Sequence, residues 1–216
     1  MGRVFISGGK GGLARAVAAH FSAAGWAVDA PSRAELDVGD CSAVEEWFAG
    51  RPAYDMAVCA AGVTKDRPFL KQTEDEWDAV MGVNARGAAW CARCAAAGML
   101  REGREGQVVM IGSYAAYRPA PSQAAYAASK SALEGLVKSL AREWGKKGIR
   151  VNLVLPGFML TDMTEGLRGS VKEAALSRHV LGRFNTPEQT AAFLLFLQEA
   201  LTAASGQVFD LDSRIL

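Results

Sequence analysis

The sequence predicts an α/β fold, a doubly wound parallel sheet of about seven strands covered by helices on both faces. Two observations predict it: short apolar segments alternate with longer amphipathic ones along the whole chain, and a glycine-rich turn follows the first apolar segment. We found no internal repeat, low-complexity segment or linker. A chain of 216 residues can enclose one extended core, so we expect residues 1–216 to form a single domain.

Apolar runs and amphipathic periodicity predict the position of each element. Strands are expected near residues 3–7, 26–30, 35–38, 55–60, 106–112, 150–155 and 206–211. Helices are expected near residues 12–24, 42–49, 74–100, 124–146, 164–178 and 187–201. The second and third strands are separated by few residues, so we expect a shortened connection there. Because right-handed crossovers align parallel strands, their carboxyl ends should share one edge of the sheet.

A glycine-rich turn follows the first strand and opens the first helix. Its sequence is Ser7-Gly8-Gly9-Lys10-Gly11-Gly12-Leu13-Ala14. Glycines let backbone N–H groups approach a pyrophosphate, and a helix N-terminus supplies partial positive charge. The spacing matches neither the Gly-x-Gly-x-x-Gly fingerprint nor a P-loop, so by itself the turn is only weak support for a nucleotide site.

Tyr126 and Lys130 form a pair of candidate catalytic residues at helical spacing, with Ser113 upstream at the end of an apolar run. Residues i and i+4 share a helix face, so the ammonium should lie beside the phenol and lower its pKa. The Ser113 hydroxyl could polarise a carbonyl at the same place. The alternative is a helix with a packed tyrosine and a solvated lysine.

The composition is that of a globular protein and points to no polyanionic partner. Lys and Arg total 24 against 23 Asp and Glu, so no global field favours nucleic acid or an acidic membrane. No apolar stretch has membrane-spanning length and no signal peptide is evident, so we expect a cytoplasmic protein. Cys91 and Cys94 lack a second ligand pair, so no metal site is expected, and His20 and His179 are interpreted as structural.

Taken together, these residues resemble the short-chain dehydrogenase/reductase family, single-domain type, whose fold is a Rossmann-type sheet. The family's glycine turn resembles the segment beginning at Ser7, and its Pro-Gly after the sixth strand resembles Pro156-Gly157. Within the family, several sequence segments are most similar to those of bacterial 3-oxoacyl-(acyl-carrier-protein) reductases. The similar segments are residues 61–66, 76–80, 139–143 and 156–158.

The resemblance implies a catalytic tetrad and a nicotinamide cofactor. Tyr126 would protonate the alkoxide formed by hydride transfer, and Ser113 would bind the same oxygen. Lys130 would lower the tyrosine pKa and hold the ribose, while Asn84 would position a water. The implied cofactor-binding residues are Ser7, Gly8, Gly9, Lys10, Gly12, Leu13, Ser32, Arg33, Asp37, Val38, Ala60, Ala61, Gly62, Tyr126, Lys130, Pro156, Gly157 and Thr161.

The residues after the second strand favour NADP(H) over NAD(H). An acid at that position would repel a 2′-phosphate, but the sequence places Ser32 and Arg33 there, and a guanidinium can grip a phosphate with two hydrogen bonds. The alternative interpretation is that Arg33 is a solvated turn residue. Asp29, inside the strand, is an acid without an assigned role.

The chain departs from the family pattern at three places. A full helix is missing between the second and third strands, the Asn-Asn-Ala-Gly motif is replaced by Cys59-Ala60-Ala61-Gly62, and the tail lacks the Asp-Gly-Gly ending. These changes bring into question the cofactor affinity and the packing of the tail. The tetrad itself is intact.

The substrate implied by the resemblance is a 3-oxoacyl thioester, linked to acyl carrier protein or to coenzyme A. An apolar lid would suit an acyl chain, or could simply pack against its own domain; it comprises Phe158, Met159, Leu160, Met163 and Leu167. Basic residues that could dock a carrier protein are Arg101, Arg104, Arg118, Lys146 and Lys147. Three alternatives stay open: a reductase of another hydrophobic ketone, a sugar-nucleotide epimerase, and a non-catalytic NADP(H) sensor. The family and the alanine-rich helices 74–100 and 124–146 suggest a homodimer or homotetramer.

Overall fold

Six parallel strands form one sheet in the order β2-β1-β3-β4-β5-β6. The computed structural model describes residues 1–215. The strands are β1 (Arg3–Ile6), β2 (Ala27–Asp29), β3 (Met56–Cys59), β4 (Gly106–Ile111), β5 (Ile149–Leu155) and β6 (Val208–Asp210). Every pairing is parallel, so the predicted fold class is confirmed.

Helices cover both faces of this sheet. They are α1 (Gly12–Ala23), α2 (Cys41–Phe48), α3 (Glu74–Met81), α4 (Ala88–Arg101), α5 (Ala124–Trp144), α6 (Asp162–Glu165), α7 (Gly169–Leu176) and α8 (Pro187–Glu199). One predicted helix, 74–100, is interrupted by a π-helical segment, Gly82–Gly87, that joins α3 to α4. The predicted helix 164–178 is likewise two short helices, α6 and α7.

The predicted strand at 35–38 is wrong, which reduces the strand count from seven to six. Leu36 and Val38 are buried, as their alternation suggested, but they enter the core from a turn. The Glu35 carboxylate accepts hydrogen bonds from the Ser32 backbone and hydroxyl, and Asp37 accepts one from the Gly39 backbone. These bonds close local turns, so residues 35–38 do not add a strand beside β2. Strand β2 therefore forms one edge of the sheet.

Two apolar layers hold the helices to the sheet. On one face α2, α4 and α5 pack around Phe5, Met110 and Leu153, and on the other α1 and α8 pack around Ile6 and Val58. Strands β3 and β4 are buried along their whole length, as expected when both faces of a parallel sheet are covered. Among the helices of residues 1–215, none is both long enough and apolar enough to cross a membrane.

Candidate active site

A cleft of about 720 Å³ lies at the carboxyl ends of the strands, where sheets of this kind bind ligands. Four predicted site residues are outside its lining: Ser7, Gly9, Ser32 and Asn84. The structure brings the other sixteen predicted site residues together around it. They are Gly8, Lys10, Gly12, Leu13, Arg33, Asp37, Val38, Ala60, Ala61, Gly62, Ser113, Tyr126, Lys130, Pro156, Gly157 and Thr161.

The glycine-rich turn is shaped by two close approaches of the backbone. Gly8 has φ +75°, a conformation that favours glycine, and a Cβ on Gly9 would lie 1.9 Å from the Ala30 carbonyl oxygen. Helix α1 then starts after Gly11 with no side chain capping its N-terminus. Its first N–H groups therefore face the cleft without a side-chain acceptor, an arrangement that fits a pyrophosphate.

Replacing Gly9 by alanine should disrupt this turn. The neighbouring atoms are backbone, so they cannot give way as a flexible side chain would. We expect a loss of about 2 kcal/mol or more in the free energy of unfolding and weakened nucleotide binding. Gly145→Ala is the matched control, because a Cβ there meets nothing within 4 Å and its φ is −56°. Equal denaturant midpoints for the two variants would contradict the role of Gly9.

Tyr126 extends from α5 into the cleft beside Ser113, which follows β4. Burial raises the pKa of Tyr126; the nearby Ser113 hydroxyl opposes this, and the Asp66 carboxylate adds to the increase. The expectation that the neighbouring lysine would lower this pKa is therefore wrong for this structure. The phenol stays protonated at neutral pH, which is the form that donates a proton.

Lys130 is buried behind the tyrosine. Its ammonium donates a 2.7 Å hydrogen bond to the Ile111 carbonyl and lies 5.9 Å from the centroid of the Tyr126 ring. Burial lowers the pKa of Lys130 to about 8, and the nearby Cys59 thiol acts in the opposite direction. No carboxylate pairs with this ammonium among the described residues, so its charge is available to the cleft.

Asn84 lies behind the cleft, in the π-helical segment, and its side chain is used entirely within the protein. Its amide accepts from the Val63 N–H and donates to the Val63 carbonyl and to the Ser129 hydroxyl, at 2.8, 2.9 and 3.0 Å. Both amide protons of Asn84 are therefore donated within the protein, and its role in positioning a water stays a prediction. These bonds position the loop after β3 and the residue next to Lys130. π-Helical turns are frequent at functional sites.

The turn after β2 borders the end of the cleft where the resemblance places the adenine half of the cofactor, here called the adenine end, and it contains one acid, Glu35, that the sequence interpretation missed. Ser32 donates both its N–H and its hydroxyl to Glu35, and these bonds lower the pKa of that carboxyl, with help from Lys10. Arg33 is an exposed residue paired with Asp37 at 3.1 Å. Two cations and two carboxylates thus share this end. The acid left unassigned earlier, Asp29, binds Arg3 and Tyr54 and is structural.

The altered motif after β3 keeps its loop in place through other contacts. Ala61 donates its N–H to the buried Ser7 hydroxyl at 3.0 Å, and the Asn84 amide holds the next turn. A Cβ on Gly62 would lie 3.6 Å from the Lys130 ammonium. The loss of two amide side chains from the family motif therefore leaves the loop connected to the glycine-rich turn and to the tetrad.

The predicted lid residues line the substrate end of the cleft, except for Leu160. The lining members are Phe158, Met159, Met163 and Leu167. Of the five basic residues proposed for carrier docking, only Arg118 lies at the cleft. The other four immediately precede β4 or β5, at the opposite edge of the sheet, because the chain enters these parallel strands there.

The tail of the chain reaches the cleft, a feature that sequence reasoning did not find. The side chain of Asp212 is 1% exposed and contacts both His179 and Arg214. Gly157 has φ +81°, and a Cβ there would be 2.9 Å from the Asp212 carboxyl carbon. The segment after β6 therefore packs against the loop after β5, and Arg214 joins the cleft lining.

Comparison with known proteins agrees with this geometry. The family model described as enoyl-(acyl carrier protein) reductase matches residues 12–213. A 3-oxoacyl-[acyl-carrier-protein] reductase of Thermotoga maritima is 38% identical over 163 residues, 75% of this chain and 66% of the relative. The match thus spans slightly less than two thirds of that relative's length.

Two solved structures share the fold over nearly their whole length. One, from Agrobacterium tumefaciens and described as a 2-deoxy-D-gluconate 3-dehydrogenase with bound NADP, has TM-score 0.90 and 29% identity, covering 98% of this chain and 95% of the other. A 4-hydroxyisoleucine dehydrogenase complexed with NADH has TM-score 0.94 and 25% identity, covering 99% and 98%. This chain belongs to the short-chain dehydrogenase/reductase family, a family of oxidoreductases.

Proposed function

We propose that the protein is an NADP(H)-dependent reductase that converts a ketone to a secondary alcohol, with a 3-oxoacyl thioester as its substrate. The observation that carries this proposal is the meeting of the Ser113 and Tyr126 hydroxyls in the cleft, with the Lys130 ammonium buried behind them. The Thermotoga maritima relative, named for reduction of 3-oxoacyl groups on acyl carrier protein, supports the substrate class.

The residues of the cleft fit a dinucleotide. The uncapped start of α1 and the backbone of Gly8 would hold the pyrophosphate, and Gly157 and Thr161 would hold the carboxamide. A nicotinamide held by these residues would supply the hydride. One solved structure with this fold is described with bound NADP and another as complexed with NADH. Because the fold accepts either cofactor, the choice between them depends on local charges.

The protein's own residues provide the proton and stabilise the charge on the oxygen. Tyr126, which is protonated at neutral pH as an ordinary phenol is and whose pKa burial raises further, would donate its proton to the substrate oxygen as negative charge develops there. Ser113 would donate a hydrogen bond to the same oxygen. The ammonium of Lys130 would stabilise the phenolate that is left and provide the next proton. A group with a pKa of about 8 can do this at neutral pH.

Charge changes at the adenine end should alter the cofactor preference. Arg33→Glu should raise the KM for NADPH about tenfold or more and change that for NADH about threefold or less, since only NADPH carries a 2′-phosphate. Glu35→Gln should shift the preference the opposite way by removing the anion beside Ser32. Arg183→Glu, at an exposed arginine outside the cleft lining and outside α4 and α5, is the control. Equal effects of Arg33→Glu on both cofactors would contradict the assignment.

The substrate assignment is tested by NADPH consumption with 3-oxoacyl thioesters of increasing chain length. The apolar side chains of the lid, such as Phe158 and Met163, should make kcat/KM rise with chain length, by up to a few-fold for each CH₂ buried. If the protein reduced other ketones but no 3-oxoacyl thioester, the thioester would no longer be the proposed substrate. NADPH binding without any turnover would favour a sensor.

We also propose that the protein is a homo-oligomer whose contacts include α4 and α5. Helix α5 has small residues at close spacing, which suit packing between helices. A 22.9 kDa species in sedimentation at working concentration would contradict this.

A further inference from the structure

A cluster of charged side chains from the tail lies at the substrate end of the cleft. The Asp212 carboxylate faces the His179 Nε2 at 2.8 Å, an ion-pair distance without hydrogen-bond alignment. Its other oxygen accepts from Arg214, through Nε at 2.6 Å and through Nη2. The Arg214 guanidinium lies over the ring of Tyr114, 3.8 Å from the centroid. Tyr114 is the residue next to Ser113 in the chain.

This arrangement fixes one arginine but leaves part of it unused. The Arg214 side chain is only 10% exposed, yet it lines the cleft. Its Nη1 donates to no residue among 1–215, whereas Nε and Nη2 are occupied by Asp212. A guanidinium held by a carboxylate on one side and by an aromatic ring on one face has little rotamer freedom left to lose on binding. It therefore presents its remaining N–H groups to the cavity.

The charges around this arginine favour an anion. Arg118 and Arg178 also line this end of the cleft, and both are exposed. The carboxylates near this end are Asp212, paired as described, Asp66, which accepts from Gln123 and Thr64, and Asp162, which pairs with Arg15. Asp210, outside the lining, accepts from the Asp212 N–H. Each of these four carboxylates already has a donor within the protein, and three guanidiniums lie beside them.

We propose that Arg214 is a specificity-determining residue that binds a carboxylate of the carbonyl substrate. The inference depends on the proposed carbonyl reduction at Tyr126 and narrows its substrate to one that bears a carboxylate. Because the guanidinium contacts the neighbour of Ser113, the carboxylate would lie close to the reacting carbonyl. The carboxylate would be the far end of a 3-oxoacyl thioester with a dicarboxylic chain. A free 3-oxo acid carries the same group next to its carbonyl and, as a substrate, would replace the thioester of the proposed function.

The test compares charged and neutral substrates of matched size. Wild-type protein and Arg214→Gln are assayed with NADPH on 3-oxobutanoate and its methyl ester, and on the thioester of a 3-oxodicarboxylic acid and its ω-methyl ester. One of the two substrate pairs places its carboxylate where the natural substrate carries it. In that pair, Arg214→Gln should lower kcat/KM for the acid about 10- to 100-fold and leave kcat/KM for the ester within about threefold of wild type. Equal losses on acid and ester, in both pairs, would overturn the proposal.

Control variants distinguish a specific effect of Arg214 from a folding defect and from the overall positive charge of the cleft. Arg178→Gln removes an exposed cleft arginine and should reduce the preference for the acid about threefold or less. If Arg214→Gln does not fold because Asp212 is left without its partner, the double variant D212N/R214Q removes both charges and takes its place. Arg214→Lys should restore part of the preference, since it keeps the charge but loses the fork.

A binding measurement keeps the inference independent of turnover. Two acids are titrated calorimetrically in the presence of NADP⁺: 3-hydroxybutanoate and the monoanion of a 3-hydroxydicarboxylic acid monoester. Each is compared with its uncharged ester. Wild type should bind one of the acids more tightly than its ester, and Arg214→Gln should not. Absence of any Tyr126-dependent turnover would defeat the proposed function while this titration still decides the role of Arg214. Equal binding of each acid and its ester by wild type would contradict the inference.

Discussion

Replacement of Tyr126 by phenylalanine is expected to lower kcat/KM for NADPH-dependent reduction of a 3-oxoacyl thioester about 10³-fold or more, while nucleotide binding is nearly unchanged. The phenol of Tyr126 lies with Ser113 in the cleft, and it is protonated at neutral pH because its pKa is raised above an ordinary value that is already near 10. General acid catalysis typically contributes 10²- to 10⁴-fold. Steady-state kinetics together with NADPH titration by fluorescence measures both effects.

Tyr117→Phe is the matched control for this variant. Tyr117 lies close along the chain from Ser113, but its hydroxyl donates to Glu134 and it is not in the lining of the cleft. Its loss should alter turnover less than about threefold. If the Tyr126 variant kept more than a tenth of the wild-type kcat/KM, the assignment of the proton donor would be wrong.

Lys130→Met is expected to lower kcat/KM about 10²-fold or more and to make the free protein more stable at pH 7. A lysine whose pKa falls from 10.5 to about 8 on folding destabilises the folded state by about 3 kcal/mol while it is charged. Between pH 8 and pH 10.5 the unfolded chain holds a proton that the folded protein has released, so wild-type stability rises with pH there. The penalty relative to Lys130→Met should therefore shrink across this window.

Denaturant unfolding at several pH values measures this difference. Lys138→Met is the control, because that lysine is on the same helix but is exposed and pairs with Glu134. Its stability difference from wild type should not change with pH below about pH 10. A Lys130→Met difference that is constant from pH 7 to pH 10 would contradict a lowered lysine pKa. The same titration predicts that wild-type kcat/KM falls as pH rises through about 8.

The sequence predicted the location of the site better than its electrostatics. Parallel strands end at one edge, so motifs after β1, β3, β4 and β5 could be assigned to one cleft before any coordinates were known. The tyrosine pKa was predicted with the wrong sign because helical spacing does not tell where an ammonium points. In the structure Lys130 binds the Ile111 carbonyl, and the cost of burying the phenol dominates.

Other features had no local signature in the chain. The alternation of Leu36 and Val38 is that of a strand, but burial under a turn satisfies the same pattern. The contact of Asp212 with His179 joins residues more than thirty positions apart, and neither residue lies in a family motif. Pairing of this kind depends on how the tail crosses the loop after β5, which periodicity cannot predict.

The most direct test of the central claim is to follow the hydride. NADPH deuterated at the transferable C4 position should be incubated with a 3-oxoacyl thioester and the purified protein, and the product analysed by mass spectrometry and NMR. We expect one deuterium on the carbinol carbon of the 3-hydroxyacyl product, and none formed by the Tyr126→Phe protein at comparable rates. NADPH consumption without a 3-hydroxyacyl product, or an alcohol lacking the label, would contradict carbonyl reduction at this site.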